Sequence, residues 1–351
     1  MKRIAALVPA HNEEGVIGMT LASLAMQIPS DDIYVVDDGS RDRSTFVAQG
    51  YTANVLKLEQ NVGKAEALNS ALRHFKLSEQ YQFILFMDAD TRVDPSFTEE
   101  CLKHFVKDEN EELACVVGRV QSLGGSWIGK YRLWEYAIAH SIHKRAQAHM
   151  NSMLVVPGCA TMYRSDIFEN IEIPAGTFTE DMDFTFLLHR SKHTHMIFED
   201  DAVVYTQDPQ TLKTFIKQVN RWYMGFWQAI KKHNLPWHGQ SLDFEAALLA
   251  SEGLFSGLIT LVIIAFIPVL YSTHSLGILK IPVLFDLGIF FIPSLMWSSF
   301  KTKEFSLILY IPAFYVLRLI TSMLFLFSFF RAFLSSKSNF TWDTQRFTLT
   351  T

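Results

Sequence analysis

Asp88 and Asp90 close an apolar stretch at residues 82–87 and offer hard oxygen ligands of the kind that hold a divalent cation. Alternation along a strand would send the two carboxylates to opposite faces, so they act together only where the strand has become a loop at Ala89. The plainer alternative is a pair of turn carboxylates capping Thr91 and the helix that follows. Thr179-Glu180-Asp181, with Asp183 close behind, crowds three carboxylates into four residues, one of which can serve as a general base. An exposed acidic turn would have the same composition. Lys64 follows Gly63 at a predicted helix start, a position suited to a phosphate, although a lysine there also reads as solvated. Asp37 and Asp38 follow four apolar residues and precede Gly39, the composition of a strand-to-loop turn. They equally suit the N-cap of a helix over residues 41–49, a job Ser40 could also do. Gln218, Arg221 and Trp222, three and four residues apart, share one face of a helix predicted over residues 211–232. Arg221 can clamp phosphate oxygens and Trp222 presents a flat face to a ring, or the helix is simply amphipathic with a buried tryptophan.

The elements that must position these groups alternate. Residues 4–9 read as a strand, 16–25 as a helix, 32–36 and 54–58 as strands, 65–75 as a helix and 82–87 as a buried strand. Strands alternating with helices imply a mostly parallel α/β sheet, and acidic residues at strand ends lie where such sheets bind ligands. Lys2 and Arg3 before residues 4–9 could suggest a signal peptide, but that run is too short and His11, Asn12, Glu13 and Glu14 follow at once.

Beyond residue 252 the character changes. Apolar runs at 253–271, 281–300 and 305–334 are each long enough to cross a hydrocarbon core, which takes about 20 residues. Pro312 and Arg318 mark the last as kinked or partly re-entrant, and Lys301 and Lys303 mark a cytoplasmic loop. Residues 251–351 hold seven Lys or Arg against four Asp or Glu, a net of +3 that leaves −8 of the total −5 on residues 1–250. The acidic part is the water-facing part, and a net −5 argues against general nucleic-acid binding. Cys101, Cys115 and Cys159 show no CxxC spacing, which favours buried reduced thiols in a reducing compartment. Trp127, Tyr131, Trp134, Ile138 and Ile142 fall on one stripe of residues 126–145, with Lys130, Arg132, Lys144 and Arg145 available for headgroups. That segment is either an interfacial helix or packed core, and residues 211–232, rich in aromatic side chains, suit the same interface. His140, His143 and His149 lack a third ligand in register and read as solvated or interfacial.

Taken in order, Val8-Pro9-Ala10-His11-Asn12-Glu13-Glu14, Val36-Asp37-Asp38-Gly39-Ser40, Asn61-Val62-Gly63-Lys64, Asp88-Ala89-Asp90, Thr179-Glu180-Asp181 and Gln218 with Arg221-Trp222 resemble membrane-integrated family 2 glycosyltransferases, the group of cellulose, chitin, hyaluronan and poly-N-acetylglucosamine synthases. The resemblance implies a GT-A catalytic domain, a Rossmann-like mixed α/β sheet, over residues 1–240, followed by a helical membrane region over 241–335 and a polar tail at 336–351. It implies inverting transfer of a hexose or N-acetylhexosamine from a nucleotide sugar, expected to be a UDP-sugar, to the non-reducing end of a growing glycan. Ceramide-type glucosyltransferases carry a similar Gln and Arg-Trp motif, so a glycolipid synthase is the enzyme alternative, and a non-catalytic sugar-nucleotide-binding scaffold is the alternative of another class.

Residue by residue, the resemblance makes Asp181 the catalytic base and Asp90 the ligand of Mg²⁺ or Mn²⁺. The donor falls to Pro9, Glu13, Asp37, Asp38, Lys64, Asp88 and Arg221, and the acceptor to Gly158, Cys159, Glu180, Gln218 and Trp222. Residues 156–164 resemble the family's small-residue turn near the terminal sugar, where Gly158 and Ala160 let a ring approach the backbone and Cys159 is no nucleophile. The expected partners are the donor, a glycan or lipid-linked acceptor and the bilayer, with the catalytic domain on the cytoplasmic face. No apolar helix precedes the first strand and about three spans follow the domain, so a homo-oligomer, a channel partner, or a short or lipid-linked product is expected.

Overall fold

The computed structural model describes residues 3–52, 54–191 and 195–334; the tail expected at 336–351 lies outside them. The described chain divides into two units, one of Met1–Gln121 and Lys144–Gln207, the other of Ser122–His143 and Asp208–Ser338.

The first unit is built on a sheet whose strands, in chain order, are β1 (Ile4–Ala10), β2 (Ile33–Asp37), β3 (Asn54–Lys57), β4 (Phe83–Phe86), β5 (Thr91–Val93), β6 (Cys115–Ser122), β7 (Thr161–Arg164) and β8 (Met196–Thr206). Their spatial order is β3-β2-β1-β4-β7-β6-β8-β5. The first four strands pair in parallel, whereas β4 with β7, β7 with β6 and β5 with β8 pair antiparallel, so the sheet is mixed. Continuous burial of β2 and β4 follows from their uninterrupted apolar runs, as expected of strands covered on both faces. The chain leaves β1 towards β2 and β3 on one side and towards β4 on the other. The carboxyl ends of β1 and β4 therefore flank the point where the strand order reverses, the place where open α/β sheets bind ligands. Pro9 lies beyond the last β1–β4 pair, Leu7 with Phe86, where a residue unable to donate a hydrogen bond is tolerated.

In this unit strand and helix starts follow the sequence pattern to within a residue or two, with one clear exception. The helix expected from residue 41 begins only at Ser44, and neither Ser40 nor Asp37 caps it. Asp42 instead accepts the Ser44 N–H and hydroxyl, a local turn that delays helix entry.

The second unit is helical. Trp127–Ile138 is an α-helix capped by the Ser126 side chain and continued by a π-helical turn, Ala139–Lys144. Tyr131 and Trp134 are buried against Phe215, Phe291 and Phe314, so the middle of the aromatic stripe is core in this unit, whereas Trp127 and Ile142 at its ends are exposed. Arg132 and Lys144 are also buried, at 3% and 8% exposure, and are not available for headgroups. Of the histidines read as solvated or interfacial, His143 and His149 are exposed but His140 is buried.

Three helical segments, Ser241–Ser272, Leu276–Thr302 and Phe305–Leu334, are long and apolar enough to cross a membrane. Phe255, Ile264 and Phe266 on the first are more than half exposed, which suits contact with lipid. The last begins as a 3-10 turn and becomes α-helical at Ile311, beside Pro312. Two of the charges inside these segments neutralise each other: Arg318 donates to both oxygens of Asp286 at 2.9 and 2.8 Å. A bidentate pair of this kind is what makes an arginine tolerable at such a depth.

Candidate active site

Three loops at the carboxyl ends of the parallel strands build the first part of the site. Asp37, at the end of β2, is fully buried and accepts hydrogen bonds from the Ser40 N–H at 2.9 Å and from the Thr45 hydroxyl. Asp38, equally sequestered, accepts from the N–H groups of Val62 at 2.7 Å and Gly63 at 3.0 Å. The Asp38 carboxylate thus ties the Asp37-Asp38-Gly39-Ser40 loop to Asn61-Val62-Gly63-Lys64. Gly39 is required in that loop, since its φ is +66° and a Cβ there would fall 2.6 Å from the Gln60 carbonyl carbon. Glu13 is 6% exposed, and its backbone N–H donates to the Ser44 hydroxyl at 2.7 Å. Between these loops opens a cleft of about 1070 Å³ lined by His11, Gly39, Arg41, Lys57, Asn61 and Gly63. Asp37 and Asp38 do not line this cleft themselves; their buried carboxylates hold the loops whose Ser40, Val62 and Gly63 do.

The carboxylates that could do chemistry converge on Lys64. β4 ends at Phe86, and the Thr91 N–H donates to the Asp88 carbonyl at 3.1 Å, so Asp88-Ala89-Asp90 forms a turn and the strand alternation that would have separated the two side chains no longer applies. Lys64 opens the helix Lys64–His74. Its ammonium lies 2.6 Å from Asp88 and 3.0 Å from Glu180. Burial alone would depress the Lys64 pKa, but Asp88 and Glu180 hold it well above the ordinary lysine value. A full positive charge is therefore fixed here across the working pH range.

Glu180 and Asp181 begin the helix Glu180–Arg190, whose N-terminal dipole favours their negative charge. One Asp181 oxygen accepts the Met182 N–H at 2.8 Å. Thr185 donates to the Asp181 carbonyl at 2.7 Å and accepts the Val156 N–H at 2.9 Å, which fastens this helix to the loop carrying Gly158 and Cys159. A Cβ at Gly158 would lie 3.2 Å from the Lys64 Nζ. Burial pushes the Cys159 thiol well up, Asp88, Asp90 and Asp181 push it further, and Lys64 opposes them. A single thiol thus senses all four groups, and it is a poor nucleophile.

One contributor here was missed by the sequence reading. Lys144 donates to the Val155 carbonyl at 2.6 Å. Burial draws its pKa down to about 8, against the pull of Asp181, Cys159 and Cys115 in the other direction. Its place in a lysine- and arginine-containing aromatic helix made it look interfacial. The π-helical turn that rotates it out of the α-helical register left no signal in the sequence.

Gln218, Arg221 and Trp222 belong to the second unit, on the helix Leu212–Lys232. Gln218 accepts from Arg132 at 2.7 Å, and the Arg132 guanidinium lies 4.5 Å from the centre of the Trp222 ring. Among the described residues, no three His, Cys, Asp or Glu side chains are grouped to hold a metal ion by themselves. The hard carboxylates of Asp88 and Asp90 fit an ion such as Mg²⁺ that takes its remaining oxygens from a bound phosphate and water.

Comparison with known proteins gives a consistent set of likenesses. A family model, Glycosyl transferase family 2, matches residues 5–172. A poly-beta-1,6-N-acetyl-D-glucosamine synthase of Staphylococcus epidermidis is 26% identical over 339 residues, covering 92% of this chain and 78% of that protein. A synthase of the same description from Staphylococcus aureus (strain MSSA476) is 27% identical over 232 residues, covering 64% of this chain and 55% of its own. Among solved structures, a mannosyltransferase from Pyrobaculum calidifontis in complex with GDP-Man and Mn²⁺ superposes with a TM-score of 0.61 at 16% identity, covering 88% of this chain and 86% of that one. This last likeness is one of fold.

Proposed function

From the premise that this chain carries a glycosyltransferase family 2 domain in a GT-A fold, we propose that it is an inverting, membrane-integrated transferase that extends a β-linked N-acetylglucosamine polymer from a UDP-sugar. The observation that carries the reading is the Lys64 ammonium held between Asp88 and Glu180, beside the Asp181 carboxylate. Support for the sugar comes from the Staphylococcus epidermidis relative, whose match covers 92% of this chain.

The chemistry follows from the residue types. A hydroxyl of the acceptor's terminal sugar attacks the anomeric carbon, the bond from that carbon to the diphosphate breaks, and the nucleoside diphosphate departs with an added negative charge. Asp181 takes the hydroxyl proton as the new bond forms. Lys64 supplies fixed positive charge where the leaving group develops its own, the arrangement most effective in stabilising such a transition state. Mg²⁺ or Mn²⁺, held by Asp90 with Asp88 alongside, would neutralise the diphosphate further. Pro9, Glu13, Asp37 and Asp38 shape the nucleotide cleft, Arg221 serves the donor's phosphates, and Gly158, Cys159, Glu180, Gln218 and Trp222 serve the acceptor. We place residues 1–240 on the cytoplasmic face, where nucleotide sugars are made, and the three apolar segments of 241–335 in the bilayer.

The purified full chain, given a panel of labelled nucleotide sugars with Mg²⁺ or Mn²⁺, should incorporate N-acetylglucosamine into a polymer that a β-1,6-hexosaminidase digests. One sugar on an organic-soluble product would assign a glycolipid synthase instead, and donor binding without release of diphosphate would assign a scaffold.

A further inference from the structure

Arg132 was not among the residues that sequence reasoning placed at the site, yet in the second unit it touches two that were. It is 3% exposed. One of its terminal nitrogens donates to Glu135 at 2.8 Å and the other to the Gln218 side-chain oxygen at 2.7 Å. Its guanidinium carbon lies 4.5 Å from the centre of the Trp222 ring and 4.6 Å from that of Phe215. Both terminal nitrogens are thus committed while the planar group covers one face of the indole, and a sugar ring can stack only on the other.

Stability does not account for this arrangement. The Arg132 Nε is buried without a hydrogen-bond partner, and burial raises the Glu135 pKa even with the guanidinium beside it. A buried pair with an unsatisfied donor is a weak stabiliser, and apolar replacements of such pairs are often neutral. What the group does achieve is to fix the rotamer of Gln218 and the plane of Trp222 together, through contacts that a lysine's point charge cannot reproduce.

We propose that Arg132 is a positioning residue for acceptor recognition, holding Gln218 and Trp222 as one rigid platform for the terminal sugar of the glycan. The inference rests on the reading of Gln218 and Trp222 as acceptor residues. The experiment compares Arg132→Gln, Arg132→Lys, Trp222→Ala and the Arg132→Gln/Trp222→Ala double variant in the full detergent-solubilised chain, with UDP-N-acetylglucosamine and a short N-acetylglucosamine oligosaccharide as acceptor. Arg132→Gln should raise the acceptor KM about tenfold or more, the worth of a desolvated cation–π contact and a charged hydrogen bond, with the donor KM within about twofold. Arg132→Lys should recover part of that loss, and the double variant should lose clearly less than the two single losses combined, since without the indole Arg132 has only Gln218 left to hold. An additive double variant, or loss confined to kcat with the acceptor KM unchanged, overturns the positioning role, because a merely structural residue lowers only the active fraction. Should Arg132→Gln fail to fold, Arg132→Lys decides by the same split. A Trp222→Ala enzyme with an unchanged acceptor KM would instead sink the acceptor reading itself, and the inference with it.

Discussion

The Lys64 ammonium stands 2.6 Å from Asp88 Oδ1, and this pair joins the start of the helix Lys64–His74 to the turn after β4. Glu180 shares the same ammonium at 3.0 Å, so one cation links two acidic motifs more than ninety residues apart in the chain. Lys64→Met leaves two half-buried carboxylates facing each other with no counter-charge and removes positive charge from the leaving group. Sugar transfer should fall by about 10² or more, and the donor Kd should rise. Steady-state transfer and donor titration on the variant check this, and unchanged transfer would remove Lys64 from the mechanism.

Asp90 is the residue proposed to hold the cation. In Asp90→Asn, turnover in Mg²⁺ or Mn²⁺ should drop below detection and donor binding should weaken, because a neutral amide is a far poorer ligand for a hard ion. The thermal unfolding midpoint should stay near that of the parent. Full activity of the parent in excess chelator would defeat the assignment.

The buried Lys144 makes a prediction about pH. Its folded pKa of about 8 lies below the free value of 10.5, so between those values the unfolded chain binds more protons than the folded one, and stability rises with pH across that interval. Below about pH 8 the penalty for burying the ammonium is complete. Lys144→Met has no such term. The unfolding midpoint of the parent should therefore gain on that of the variant as pH goes from 7 to 10, and a difference that stays flat with pH contradicts a buried, depressed ammonium.

Most of the architecture was legible because it is local. The runs that became β1, β2 and β4 are short, apolar and bounded by acidic loops, and Asp88-Ala89-Asp90 follows a strand too buried to be anything else. The three apolar segments were read from length alone and the structure keeps them helical. Long-range pairing was not legible. No pattern in residues 161–164 says that β7 inserts antiparallel between β4 and β6, and so the alternation of strands and helices by itself pointed to a mostly parallel sheet, where the family resemblance implied the mixed one that is found. Charge alone also misplaced Arg132 and Lys144, since a cation on an aromatic stripe looks like a headgroup contact until the partners that bury it, Glu135 and Gln218 for one and the Val155 carbonyl for the other, are seen. Asp37 and Asp38 were found by their motif, but their use as acceptors for loop N–H groups depends on the register between two loops, which only the fold supplies.

Asp181 is the residue proposed to take the acceptor proton, and every other role in the transfer depends on it. Its carboxylate accepts the Met182 N–H and lies among Lys64, Lys144 and Cys159, so an amide in its place keeps the size of the side chain while losing the ability to accept a proton. The decisive measurement is transfer and donor affinity on Asp181→Asn in parallel. Transfer should fall by roughly 10² to 10⁴-fold, with the donor Kd near that of the parent because neither Lys64 nor Asp90 is altered. Transfer at the parental rate in Asp181→Asn would contradict the mechanism and move the search for the base to Glu180 or Asp183.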